Sequence, residues 1–97
     1  MTQPLAGKQI LIVEDEPVFR SLLHGWLTSL GATTFQAEDG KDALHKMTEV
    51  HPDLMICDIS MPRMNGLELV ETLRNRGEQL PILMISATEN MADIAKA

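Results

Sequence analysis

The sequence predicts an α/β fold, a doubly wound parallel sheet covered by helices on both faces. Short unbroken apolar runs recur along the chain, segments with apolar residues three and four apart follow them, and Gly or Pro marks the junctions. A sheet with one wet face would alternate polar and apolar residues, so unbroken runs place the strands between two helical layers. Crossovers between parallel strands are right-handed.

Lys8-Gln-Ile-Leu-Ile-Val13 is too short for a helix and rich in β-branched residues, which predicts a strand over 8–13. From Pro17 the residues Val18, Phe19, Leu22, Leu23, Trp26, Leu27 and Leu30 follow helical spacing, with Pro17 suited to a first position and Gly31 to a stop. A helix over 17–30 follows. Thr33-Thr-Phe-Gln-Ala37 predicts a strand over 33–37, and Ala43, Leu44 and Met47 share one face of a helix over 40–50, closed by His51-Pro52. Asp39-Gly40 reads as a turn rather than a metal loop. A strand over 53–58 contains Leu54-Met-Ile-Cys57, and Leu67, Leu69, Val70 and Leu73 form a helix over 66–76 before Gly77. A strand over 81–86 and a helix opening over 90–97, capped by Asn90, complete the alternation.

The 97 residues, 44% of them apolar, suffice for one core and not for two. Eight basic residues against fourteen acidic ones leave a charge of −6, which repels a nucleic-acid backbone, and three aromatics offer no platform for base stacking. Direct nucleic-acid binding by this segment is disfavoured on those grounds. The single cysteine, Cys57, rules out an internal disulfide and reads as a small buried hydrophobe. No apolar stretch approaches the roughly 20 residues that span a bilayer, and no signal-type segment opens the chain, so a cytoplasmic protein without membrane contact is expected.

Ligands of open parallel sheets bind beyond the carboxyl ends of the strands, where the winding reverses. Here these ends are positions 14–16, 58–66 and 86–90. The first strand delivers Glu14-Asp15-Glu16, the third delivers Asp58, and the fourth delivers the hydroxyl of Ser86. Clustered carboxylates repel unless a cation offsets them, and an all-oxygen set without His or Cys suits Mg²⁺ together with a phosphate oxygen. Taken alone, the acids before Pro17 are equally explained by helix capping, and Asp58 by a turn. Their conjunction carries the argument. A carboxylate held rigidly beside a metal, with Pro62 and Gly66 shaping the loop that follows, is a nucleophile toward phosphorus.

Ile-Leu-Ile-Val-Glu14-Asp15-Glu16, Ala37-Glu-Asp-Gly40 with Ala43-Leu44, Pro52-Asp53-Leu54, Cys57-Asp58-Ile-Ser-Met61-Pro62, Asn65-Gly66 and Pro81-Ile-Leu-Met-Ile-Ser86-Ala87 together resemble the receiver domain of bacterial two-component response regulators. The resemblance runs from about Gln9 onward. It implies a flavodoxin-like fold of strand order 2-1-3-4-5, with Asp58 as phosphoacceptor. Glu14, Asp15, Asp58 and the backbone carbonyl of Ser60 would hold Mg²⁺, and Ser86 would be the switch hydroxyl. Thr88 would lie where the family varies and where side chains influence how quickly the phosphoryl group is lost. The implied partners are a sensor histidine kinase or a small phosphodonor. Met1-Thr-Gln-Pro-Leu5, Val18-Phe-Arg-Ser-Leu-Leu23, Leu30-Gly-Ala-Thr-Thr34, Met61-Pro-Arg-Met-Asn-Gly66 and the stretch from Ile85 to Ala97 are similar to receivers of bacterial adaptors that deliver a sigma factor to a protease. Such an output is protein contact for proteolysis.

The family's fifth strand, last helix, phosphate-pairing lysine and aromatic switch residue have no match in residues 1–97, and Lys96 is not that lysine. The expectation is a receiver domain truncated before the fifth strand, with Ile82-Leu-Met-Ile85 as an exposed apolar edge and Phe19 and Trp26 short of a neighbour. The segment alone is then expected to be marginal, and any folded form to be a homodimer, a swapped form or one completed by residues outside 1–97. His24, His45 and His51 lack metal-ligand spacing and read as surface residues; Arg74 and Arg76 read as partners of a helix C-terminus.

The leading function is a phosphorylation-gated switch, a regulatory phosphoacceptor rather than an enzyme. Alternatives are a docking domain that no longer uses phosphate, or a regulator whose transcriptional output lies beyond residue 97. A phosphatase with an aspartate nucleophile usually carries a second aspartate two residues on, where this chain has Ser60. A flavin site is disfavoured by acids that repel the cofactor phosphate.

Overall fold

A computed structural model describes residues 3–61 and 64–85. It contains strands β1 (Gln9–Val13), β2 (Thr33–Ala37), β3 (Leu54–Asp58) and β4 (Ile82–Ile85), and helices α1 (Pro17–Ser29), α2 (Gly40–Lys46) and α3 (Gly66–Asn75). The strands form one sheet of order β2-β1-β3-β4, and every neighbouring pair is parallel. β1 lies at the centre with β3 beside it, Val13 opposite Cys57, so the residues that follow the two strands emerge at the same edge.

The alternating side chains of the strands build two cores. Leu11, Val13, Met55 and Cys57 point to one face and are covered by Ala43 of α2 and by Leu69 and Leu73 of α3. Ile10, Ile12 and Ile56 point to the other, where Leu27 of α1 meets them. Both faces of the central strands are therefore dry, which is why their sequences are apolar without interruption.

The helix boundaries follow from local hydrogen bonding. Glu16 caps α1 by accepting the Phe19 amide at 2.8 Å, and Pro17 occupies the first turn, where a missing amide costs nothing. Leu30 is the C-cap and Gly31 follows it at φ +99°, a left-handed conformation that glycine adopts without strain. Asn65 and Glu68 form a reciprocal capping box at the start of α3.

Several expectations change. The helix expected over 40–50 ends at Lys46, because the amides of Thr48 and Glu49 bond three residues back, to His45 and Lys46, and the Thr48 hydroxyl also takes the His45 carbonyl at 2.7 Å. These bonds tighten the last turn instead of extending the helix. Asp53, expected inside the third strand, lies just before it and accepts the Gln9 amide at 2.8 Å through its side chain. The apolar positions of α1 divide: Leu27 is buried, while Val18, Leu22 and Trp26 are exposed, Trp26 at 60%. One face of a single helix can meet a sheet, and seven apolar residues cover more than that arc. His24 is half-buried and bonds the Thr34 hydroxyl of β2, whereas His45 and His51 are exposed as expected. Arg74 donates to the carbonyls of Glu78 and Leu80 and so shapes the entry to β4. The helix start expected over 90–97 lies outside the described residues.

Candidate functional site

The site lies at the carboxyl edge of β1 and β3. Glu14 follows β1 directly; its amide donates to the Ala37 carbonyl at 3.0 Å, so the backbone stays bonded towards β2 for one residue more. Its carboxylate turns inward and is fully buried, as is that of Asp58 at the end of β3. Asp15 is exposed and completes a group in which one carboxylate oxygen from each of Glu14, Asp15 and Asp58 lies within 4.8 Å of the others. Charged residues are almost never fully buried without a partner, yet two sit here side by side.

Each buried carboxylate is held through one oxygen. Glu14 Oε2 accepts the Glu16 amide at 3.0 Å, and Asp58 Oδ1 accepts the Ser60 amide at 3.1 Å. Glu14 Oε1 and Asp58 Oδ2 are buried with no hydrogen-bond partner among the described residues. Such atoms are costly unless something satisfies them. Burial pushes the Glu14 carboxyl up to about 7, the Glu16 amide pulls it back in part, and the neighbouring Asp15 and Asp58 carboxylates push it further up. The same surroundings raise the Cys57 thiol to about 12, first through burial and then through the charges of Asp58 and Glu14.

The loop after β3 is clamped onto the site. The Ile59 amide donates to Ile85 at 2.8 Å, continuing the strand pairing, and the Gly66 amide donates back to Ile59 at 2.9 Å. A Cβ on Gly66 would lie 2.4 Å from the Asp58 carbonyl oxygen and 2.7 Å from Met84 Cε, so the close approach of α3 to the Asp58 backbone requires glycine. Gly66 thus acts through proximity and not through a left-handed backbone. Met61 is buried in the α2–α3 core, which anchors the middle of the loop. Pro62 falls outside the described residues, as do Ser86 and Thr88.

Of the residues singled out in the sequence, Glu14, Asp15 and Asp58 come together, and Ser60 adjoins them through its amide. Glu16 does not join the cluster; it caps α1. Two contributors were missed. The Asn-x-x-Glu spacing of Asn65 and Glu68 was a readable capping signal. Arg20, whose Nη1 donates to the Glu14 carbonyl at 2.8 Å, left only a weak trace, a cation near the start of a helix where the macrodipole disfavours one.

The oxygen-only donor set and the two unpartnered buried oxygens fit a hard divalent cation such as Mg²⁺. No described helix is long and apolar enough to cross a membrane.

Comparison with known proteins places this geometry. The Regulator of RpoS of Escherichia coli K12 is 73% identical over 97 residues, all of this chain and 29% of its own length. The two-component response regulator PhoP of Pseudomonas aeruginosa is 36% identical over 85 residues, 88% of this chain and 38% of that protein. The chain thus spans less than half the length of these curated relatives. Among solved structures, the receiver domain of Francisella response regulator 1452 aligns with a TM-score of 0.80 at 27% identity, covering 93% of this chain and 77% of that one. Thermotoga maritima response regulator TrrA, solved in complex with Mg²⁺-BeF, aligns with a TM-score of 0.77 at 39% identity, covering 82% and 70%. The response regulator receiver domain family matches residues 10–97, which takes in the four described strands except Gln9 and the three acids at their edge, and the chain belongs to that family.

Proposed function

We propose that this receiver accepts a phosphoryl group on Asp58 with Mg²⁺ bound, and that phosphorylation alters a protein-binding face that controls delivery of a sigma factor to a protease. The observation that carries the first half is the pair of buried, unpartnered oxygens, Glu14 Oε1 and Asp58 Oδ2. A site selected for stability alone would satisfy or remove them. The relative named Regulator of RpoS, 73% identical across the whole chain, supports the second half.

Glu14, Asp15, Asp58 and the backbone carbonyl of Ser60 are the residues that would hold the cation. When bound, it supplies positive charge that offsets the carboxylates and the oxygens of the incoming phosphoryl group. The Ser60 amide fixes the Asp58 carboxylate by one oxygen, and burial in the β1–β3 edge removes competing water. An Asp58 oxygen attacks phosphorus of a phosphohistidine or small phosphodonor; the bond from phosphorus to the donor's leaving group breaks, and the leaving group departs with the electron pair. The Ser86 hydroxyl would then bond a phosphoryl oxygen and draw its loop inward. Such a shift is a two-state bias of about a few kcal/mol. The chain's part is that of a regulatory phosphoacceptor.

Fluorine NMR of the full-length protein with beryllium fluoride and Mg²⁺ tests the assignment. Wild type is expected to give a bound signal and Asp58→Ala none; a signal retained in Asp58→Ala overturns it. Sigma-factor affinity measured with and without beryllofluoride tests the output, and equal affinities would favour the phosphate-independent docking reading.

A further inference from the structure

We propose that Arg20 is a positioning residue for the cation site, holding the Glu14 backbone so that the Glu14 carboxylate keeps its place beside Asp15 and Asp58. The proposal rests on the reading of that cluster as a divalent-cation site.

Arg20 lies near the start of α1, and its own amide donates to the Glu16 carbonyl at 2.9 Å. A cation there opposes the helix macrodipole, so the position is not explained by helix stability. The half-buried side chain folds back past the start of the helix, and Nη1 donates to the Glu14 carbonyl oxygen at 2.8 Å. The remaining groups of Glu14 are engaged as well. The amide donates to Ala37 at 3.0 Å and Oε2 accepts from Glu16 at 3.0 Å, which leaves Oε1 alone without a partner. Among the described residues Arg20 thus makes one of three hydrogen bonds that pin Glu14, and the one made by a side chain from α1. Outer contacts of this kind orient ligands before a cation arrives, which removes part of the ordering cost of binding.

A positional role and a purely electrostatic one predict opposite signs. A guanidinium near a cation site repels the cation, so if charge were its main effect, removing it would tighten Mg²⁺ binding. If position is its main effect, removing it frees the turn and weakens binding. A role confined to folding would change stability and leave affinity alone.

The test is calorimetric titration of Mg²⁺ into the full-length wild type, Arg20→Ala and Arg20→Lys, with thermal melts in chelator to show that each is folded. Arg20→Ala is expected to raise the Mg²⁺ dissociation constant about tenfold. Arg20→Lys keeps a donor of similar reach but not the planar fork and is expected to bind more weakly than wild type and more tightly than the alanine variant; should the alanine variant not fold, an Arg20→Lys affinity equal to or tighter than wild type overturns the positional role. Affinities unchanged or tighter in both variants overturn the positional role while leaving the cation site standing. Absence of Mg²⁺ binding in wild type overturns the site and the proposal together.

Discussion

Glu14 and Asp58 end neighbouring parallel strands, each wholly buried, each tethered by one amide to one oxygen and with its second oxygen unpartnered among the described residues, and a carboxylate oxygen of each lies within 4.8 Å of one of the other. Two like charges in a dry pocket destabilise the fold that holds them, and a bound cation reverses the sign. Marginal local stability and ligand response are thereby the same feature.

Neutralising either acid should therefore stabilise the metal-free protein. Glu14→Gln and Asp58→Asn are expected to raise unfolding free energy by about 1–3 kcal/mol at mildly alkaline pH in chelator, and to abolish the further stabilisation that Mg²⁺ gives wild type. Urea titrations with and without Mg²⁺ check both.

Stability of the metal-free protein should depend on pH through Glu14. Its folded value is raised from 4.5 to about 7, so between those values the folded state holds more protons than the unfolded one. Stability from this group is fully present below the unfolded value and is lost as pH rises through the folded one, by at most about 3 kcal/mol. Urea midpoints in chelator should fall across that window in wild type and stay flatter in Glu14→Gln. A rising midpoint attributable to Glu14 would contradict the shift.

Two glycines should respond in opposite directions to alanine. Gly66→Ala forces a Cβ to within 2.4 Å of the Asp58 carbonyl and is expected to cost about 1–3 kcal/mol while displacing Asp58 and weakening beryllofluoride uptake. At Gly25, within α1, a Cβ meets nothing within 4 Å, and Gly25→Ala is expected to stabilise by about 0.5–1 kcal/mol without affecting uptake. Thermal melts and fluorine NMR on the pair separate the two.

The Cys57 thiol, buried and raised to about 12, should resist iodoacetamide at mildly alkaline pH. Mass spectrometry is expected to find labelling only at the rate of opening, and urea should accelerate it in step with unfolding. Rapid labelling of the native protein would refute the burial of the β3 end.

The strands and the acidic edge were legible because both signals are short-range. Ile10-Leu-Ile-Val13 and Leu54-Met-Ile-Cys57 declare themselves by unbroken apolar character, and the acids stand immediately after them. The far end of α2 was not legible. The preference of Thr48 for the His45 carbonyl competes with one more helical turn, and a count of apolar spacings does not weigh that competition. The apolar residues of α1 likewise announced a helix without saying that Val18 and Leu22 would face outward, whereas the exposure of Trp26 agrees with its expected lack of a neighbour.

Local periodicity was enough to establish a parallel α/β sheet, the residues at its carboxyl edge and the oxygen-only chemistry there. It could not establish which oxygens are satisfied. That depends on groups brought together from distant parts of the chain: Asp53 reaching the Gln9 amide across 44 positions, Gly66 pressing on the Asp58 carbonyl, and Glu14 meeting Asp58 across the β1–β3 pair. Burial and hydrogen-bond competition are properties of that assembly, and they turn a set of acids into a site poised for a cation.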